Sequence, residues 1–219
     1  MKQIISFLQD LERNNNREWF QANKVRYEES RDKVLFITEL LINEIRKFDP
    51  DVPPVDAKDC LFRIYRDVRF SSDKRPYKTH FGSYIARGGR KSTRAGYYFH
   101  IEPEKSFLGG GLYLPEPDVL KAIRTAIYEE SKTFTGILEN HDFKKLYGSV
   151  DGEKLKTNPK GFDPKFEHIE LLKYKSYIFT IQLDSQILLS GDFAEKAIQA
   201  FKILSPVNQF LNDALDNYL

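Results

Sequence analysis

The densest run of side chains able to do chemistry lies between Phe62 and His80, reading FRIYRDVRFSSDKRPYKTH. Guanidinium groups present planar forks that match carboxylate and phosphate with paired hydrogen bonds, and a lysine ammonium adds a point charge. Arg63, Arg66, Arg69, Lys74, Lys78 and Thr79 are therefore the candidate ligands for a small anion bearing phosphate or carboxylate. Cys60 to Val68 is rich in aromatic and branched residues and reads as a strand, in which alternate side chains share a face. Arg63, Tyr65, Asp67 and Arg69 would line one face. Phe62, Ile64, Arg66, Val68 and Phe70 would line the other, which reads as core. An arginine on a core face is costly without a partner, so Arg66 is expected to meet a carboxylate or an anionic guest. Asp67 faces away from it, so that partner must come from elsewhere.

Four histidines are present: His80, His100, His141 and His168. His100 lies in the strand-like stretch Tyr97 to Ile101, on the same face as Tyr98 and Glu102. If that strand pairs beside the Arg63 segment, His80, His100, Glu102 and Asp67 converge. Such a cluster is a general acid/base pair, with His80, His100 and Asp67 as catalytic candidates, or a weak metal site. The spacing matches no recognised metal motif, so no metal is assigned. A lone strand histidine is more often a hydrogen-bonded structural residue, and geometry must precede role. His141 and His168 fall in helical segments and read as surface or cap residues. Gly88-Gly89-Arg90-Lys91-Ser92-Thr93 lacks the strand, spacing and helix of a P-loop, and Gly109-Gly110-Gly111 lacks the dinucleotide-binding pattern. No cofactor is indicated. The single Cys60 reads as a small core residue, without the local signature of a nucleophile.

The chain has 219 residues, 41% hydrophobic and 30% charged, which suits one globular domain over residues 1–219. Its net charge of +2 hides an asymmetry. Between Leu61 and Arg94 there are ten Lys/Arg and two Asp, or +8; the remaining 24 basic and 30 acidic residues give −6. Crowded like charges call for an anionic guest or an acidic neighbouring face. One cysteine permits no intramolecular disulfide and points to a reducing compartment. No secretory leader or membrane-length apolar run is read, so a cytoplasmic location with no membrane partner is expected.

Among the elements that position these groups, Ile4, Phe7, Leu8 and Leu11 predict a helix over residues 2–12. Asn14 to Asn16 supply an N-cap for the next helix, which carries Val34, Ile37, Leu41 and Ile45 on one stripe and ends at Asp49-Pro50. Ser83 to Arg87 and Tyr97 to Ile101 read as a hairpin with a basic tip, followed by a strand over Phe107 to Leu114 whose glycines imply a bulge or close backbone approach. Pro115-Glu116-Pro117 starts a helix, shorter helices occupy 132–139 and 140–147, and 151–163 is loop. Asp163-Pro164 resembles another helix start. Tyr177 to Leu183 is a strand, and the last stretch reads as two helices broken at Ser205-Pro206. The fold class is α+β, a central antiparallel sheet flanked by N-terminal and C-terminal helices.

Four strings carry a family resemblance: NNNREWF from Asn14, FRIYRDVRFSSDKRPYKTH from Phe62, GYYFHIEP from Gly96 and GGGLY from Gly109. In this order they resemble the uncharacterised bacterial and fungal family called domain of unknown function 2461, across nearly the whole chain. The resemblance implies a single-domain α+β protein with no established activity or catalytic residues to carry over. Arg63, Arg66, Asp67, Arg69, Lys74, Lys78, Thr79 and His80 correspond to its pattern; Ser72 and Arg75 depart from it mildly. Three functions stay open. The favoured one is an enzyme or binding protein for a small anionic ligand held at the Arg/Lys-rich strand and loop. A second is nucleic-acid binding through Arg87, Arg90, Lys91 and Arg94 with bases stacked on Tyr84, Tyr97 or Tyr98, which the acidic remainder of the chain disfavours. The third is a structural or interaction domain whose arginines pair internally. Oligomeric state is not indicated.

Overall fold

The computed structural model describes residues 1–219. Ile4, Phe7, Leu8 and Leu11 are the buried stripe of α1 (Lys2–Arg13), as their spacing requires. Asn16 caps α2 (Arg17–Ala22) by accepting from the Trp19 amide at 2.9 Å. Helix α3 (Lys24–Ile45) follows after Asn23 and buries Val34, Thr38, Leu41 and Ile45, and a short α4 (Ala57–Cys60) precedes the basic segment.

The sheet has four antiparallel strands in the order β1-β2-β3-β4: β1 (Phe81–Ile85), β2 (Gly96–Ile101), β3 (Phe107–Leu112) and β4 (Tyr177–Gln182). Between β3 and β4 the chain makes α5 (Pro117–Glu129), α6 (Ser131–Glu139), α7 (His141–Tyr147) and the single turn α8 (Ile169–Leu172). It ends with α9 (Ser185–Ser190) and the long α10 (Phe193–Tyr218).

Alternation along each strand divides the sheet into two different faces. Phe81, Ile85, Tyr97, Phe99, Ile101, Leu108, Tyr177 and Phe179 are buried in one apolar cluster that runs from Ile4 to Leu215. Helix α10 packs beneath β2 and β3, and α3 beneath β1. Gly110 is what lets α10 approach β3: a Cβ there would lie 2.6 Å from Leu204 Cδ2 and 2.3 Å from the Gly96 carbonyl oxygen. The close approach expected of the triple glycine is thus a helix–sheet contact. Polar ties pin the same layer. Asn208 donates to the Gly96 carbonyl at 3.1 Å, Asn212 accepts from the Ala95 amide at 2.9 Å, and Tyr97 donates to Asp49 at 2.5 Å. The opposite face, bearing Tyr84, Tyr98, His100, Phe107 and Thr180, has no helix over it. No helix is long and apolar enough to cross a membrane.

Three local expectations are corrected. Cys60 to Val68 is not a sheet strand: Cys60 closes α4, and the residues after it form only isolated bridges, Leu61 with Ser83 and Tyr65 with Tyr77. Asp163-Pro164 starts no helix; it lies in a run of turns, and the only helix nearby begins at Ile169. The C-terminal stretch is one helix rather than two, with Pro206 inside it. Pro206 removes the amide that would bond the Lys202 carbonyl, but both residues face solvent, so water can satisfy that carbonyl. The buried stripe of Ala200, Leu204, Val207, Leu211 and Ala214 continues through the proline and holds both halves on the sheet.

Candidate functional site

The uncovered sheet face forms the floor of a cleft of about 580 Å³, walled by Phe62, Lys78 and His80 from the basic segment and by Tyr113 beyond β3. How His80 reaches it follows from the failed strand. From Leu61 to Tyr65 is four steps, whereas from Tyr77 to Ser83, the residues they bridge, is six. The two additional residues break the ladder as a bulge does, and Thr79 and His80 fall within it. The bulge turns His80 over β2, where its ring lies 4.2 Å from that of His100, centroid to centroid.

Strand β2 supplies a chain of contacts along this face. Tyr98 Oη lies 3.0 Å from His100 Nδ1, and His100 Nε2 lies 3.1 Å from Glu102 Oε2. A carboxylate only accepts, so Nε2 carries the proton and Nδ1 accepts from the Tyr98 hydroxyl. Thr79 donates to the other Glu102 oxygen at 3.1 Å, tying the bulge to β2. The buried Ser106 hydroxyl bonds both the amide and the carbonyl of Glu102, at 3.0 and 2.7 Å, fixing its backbone. Phe107 stacks on His100 at 4.7 Å and 16°. Gly82, opposite His100 in the register, makes room for Tyr98: a Cβ there would sit 2.4 Å from the phenol oxygen.

Burial sets the protonation of these groups. It lowers the His80 pKa to about 4, with the neighbouring His100 acting in the same sense, and it lowers His100 although Glu102 pulls the other way. Both rings are therefore neutral at pH 7. Burial raises the Tyr98 phenol to about 12. Lys78, half-buried with its ammonium 5.6 Å from the Phe62 ring centroid, is lowered by burial and by Arg63.

The sequence candidates separate into those that reach the cleft and those that do not. Arg66 meets the carboxylate expected of it, Asp73, at 2.6 Å, and donates to the Arg75 carbonyl at 3.2 Å. Arg75 shares Asp73 at 2.7 Å, and the two guanidiniums hold that carboxyl well below its usual range. Arg69 closes on Asp67 at 2.7 Å on the exposed rim. Asp67 thus stays apart from the histidines, and the expected fourfold convergence is a threefold one of His80, His100 and Glu102. Lys74 is exposed and donates to the Val68 carbonyl at 3.1 Å, and Arg63 is exposed. Of the six anion-ligand candidates, only Lys78 lines the cleft. At the hairpin tip Arg94 is bidentate with Asp216 at 2.6 and 2.7 Å, Arg87 faces Asp51 at 3.9 Å, and Arg90 donates to the carbonyls of Lys58 and Asp59. Tyr97, one of the proposed base-stacking residues, is fully buried. The sequence places Tyr98 on the His100 face but gives Phe62 and Phe107 no place in the site. The period-two alternation of β2 and β3 was the available signal, but it marks a shared face and not which face stays uncovered.

The fold and this site define an α+β protein whose four-stranded sheet is covered by helices on one side and carries an imidazole-bearing cleft on the other. Residues 3–210 match the family described as "Conserved hypothetical protein (DUF2461)", and the chain belongs to that family. No curated protein and no solved structure matches the chain.

Proposed function

We propose that the chain binds a small organic anion, a carboxylate or phosphate on an aromatic or branched apolar body, with Lys78 as its anchor. The observation that carries this reading is the charge of the cleft. Its lining includes Lys78 and Arg90 and no Asp or Glu. Arg90 is already engaged by two backbone carbonyls, whereas Lys78 forms no ion pair and its ammonium lies over the Phe62 ring. A half-buried ammonium without a counter-charge is costly, and an incoming anion removes that cost. Phe62, Tyr98, Phe107 and Ile178 supply apolar walls for the body of the ligand, in the pattern of small-molecule sites.

Calorimetric titration of the full chain with benzoate and with phenyl phosphate tests this, with benzamide as the uncharged control. At least one anion should bind and benzamide should bind much more weakly. Lys78→Gln should weaken anion binding roughly 10- to 100-fold, the worth of a charge-assisted hydrogen bond of about 1.5–3 kcal/mol. Failure of both anions at millimolar concentration, or equal binding by Lys78→Gln, would refute the reading.

A further inference from the structure

We propose that His80, His100 and Glu102 form a binding site for a divalent transition-metal ion of the zinc and iron class. One donor atom from each residue lies within 4.8 Å of the other two, all three residues are buried or half-buried, and His80 lines the cleft. Two imidazole nitrogens and one carboxylate oxygen make a mixed donor set of the kind that binds Zn²⁺ or Fe²⁺ and leaves further positions open. Metal–ligand distances near 2.1 Å put neighbouring donors about 3.3 Å apart. His100 Nε2 and Glu102 Oε2 already stand at 3.1 Å, so only the His80 ring has to close, by side-chain rotation.

Two features distinguish this cluster from a chance meeting of polar groups. First, His100 on β2 and Glu102 just beyond its end each have an outer partner of the kind that orients metal ligands. Tyr98 bonds the far nitrogen of His100, and Thr79 holds the far oxygen of Glu102. Second, His80 has no such structural employment. No hydrogen bond contributes to its environment, only burial and the charges of His100, Glu102 and Lys78, although it faces the other two donors. On binding, the proton on His100 Nε2 moves to Nδ1, which then donates to Tyr98 Oη. The Nε2 lone pair is freed for the ion, with no net proton released.

Lys78 is the one cation acting on both imidazoles and opposes a second positive charge there. The ion would therefore leave the cleft more strongly attractive to an anion. The site itself does not depend on the anion reading.

The test uses the full chain, stripped with EDTA and titrated with Co²⁺ alone. One equivalent should produce visible d–d bands that Zn²⁺ abolishes, and the paramagnetic ion should shift the imidazole proton resonances of His80 and His100 but not those of His141 and His168. His80→Ala and Glu102→Gln, each shown to be folded by circular dichroism, should weaken Co²⁺ binding at least about tenfold, since even outer-shell partners are worth that much. Lys78→Gln should bind Co²⁺ more tightly. Absent bands at millimolar Co²⁺, unaltered affinity in both ligand variants, or shifts confined to His141 and His168 would overturn the proposal. This titration contains no organic anion and the benzoate titration contains no metal, so either reading can fail alone.

Discussion

Strand β2 carries Tyr98 into the cleft and His100 against the ring of His80, and its inward anchor is the bond from Tyr97 to Asp49. Both residues are essentially inaccessible, at 0% and 1% exposure, and the oxygens are 2.5 Å apart. Burial raises the Asp49 pKa, while the Tyr97 hydroxyl and the Asp51 amide partly offset it by donating to the carboxylate. Tyr97→Phe removes one of these donors. At pH 7 the cost should be about 1.5–3 kcal/mol, the range for a hydrogen bond to a charged group. For a chain of this length that lowers the melting temperature by roughly 3–12 °C. The sign of the pH dependence follows from linkage. An acid with a raised folded-state pKa binds its proton more tightly when folded, so stability is greatest below the unfolded value of about 3.9 and falls as pH rises through the folded value. Losing the Tyr97 hydroxyl raises Asp49 further and deepens that fall. The penalty of the variant should therefore shrink on going from about pH 7 to about pH 3.9, the unfolded value, toward the 0.5–1.5 kcal/mol of a neutral hydrogen bond. Urea denaturation at both pH values measures it. In an Asp49→Asn background, Tyr97→Phe should cost about 0.5–1.5 kcal/mol with no pH dependence. A penalty that is the same at both pH values in the Asp49 protein, or one below about 0.5 kcal/mol, would refute the reasoning.

Arg66→Ala should lower stability by about 1 kcal/mol or less, because its pair with Asp73 is partly exposed and Asp73 keeps Arg75. It should leave benzoate affinity unchanged in the calorimeter, whereas loss of binding would show that the loop arginines do serve the ligand. Pro206→Ala restores an amide facing the Lys202 carbonyl within an otherwise regular α10 and should stabilise by about 1–3 kcal/mol. A thermal melt showing a lower midpoint would mean that the proline shapes the helix in a way the sheet contacts need.

The basic segment shows where linear reading stops. Alternation predicts the solvent side, where Arg63, Tyr65, Asp67 and Arg69 are exposed, but the expected core side holds only in part: Ile64 is buried, Phe62, Arg66 and Val68 are half-buried, and Phe70 is exposed because no neighbouring element covers the end of the segment. It fails to predict the pairing, because the opposing residues 77–83 contain two more steps than 61–65 and no regular ladder can form. The charge count of +8 over residues 61–94 suggested a missing counter-charge. Asp73, already counted in that sum, is shared by Arg75 and Arg66, two and seven residues away, and part of the excess is met from outside the segment, by Asp216, which is 122 residues from Arg94, and by Asp51 at 3.9 Å from Arg87. Ion-pair energy depends on distance in space, and a sum along the chain carries none of that information.

Residue order by itself determined the helices and strands with strong periodicity, the cap at Asn16 and the helix start at Pro117, the α+β class, and the types of donor available on and just after β2. Tertiary structure alone decided which sheet face the helices cover, that a bulge would swing His80 onto His100 and Glu102, and that Lys78 would be left facing the cleft. The reason is physical. Periodicity is a property of neighbouring residues, whereas burial, convergence and neutralisation are set by groups that meet only once α10 and α3 have closed on one side of the sheet.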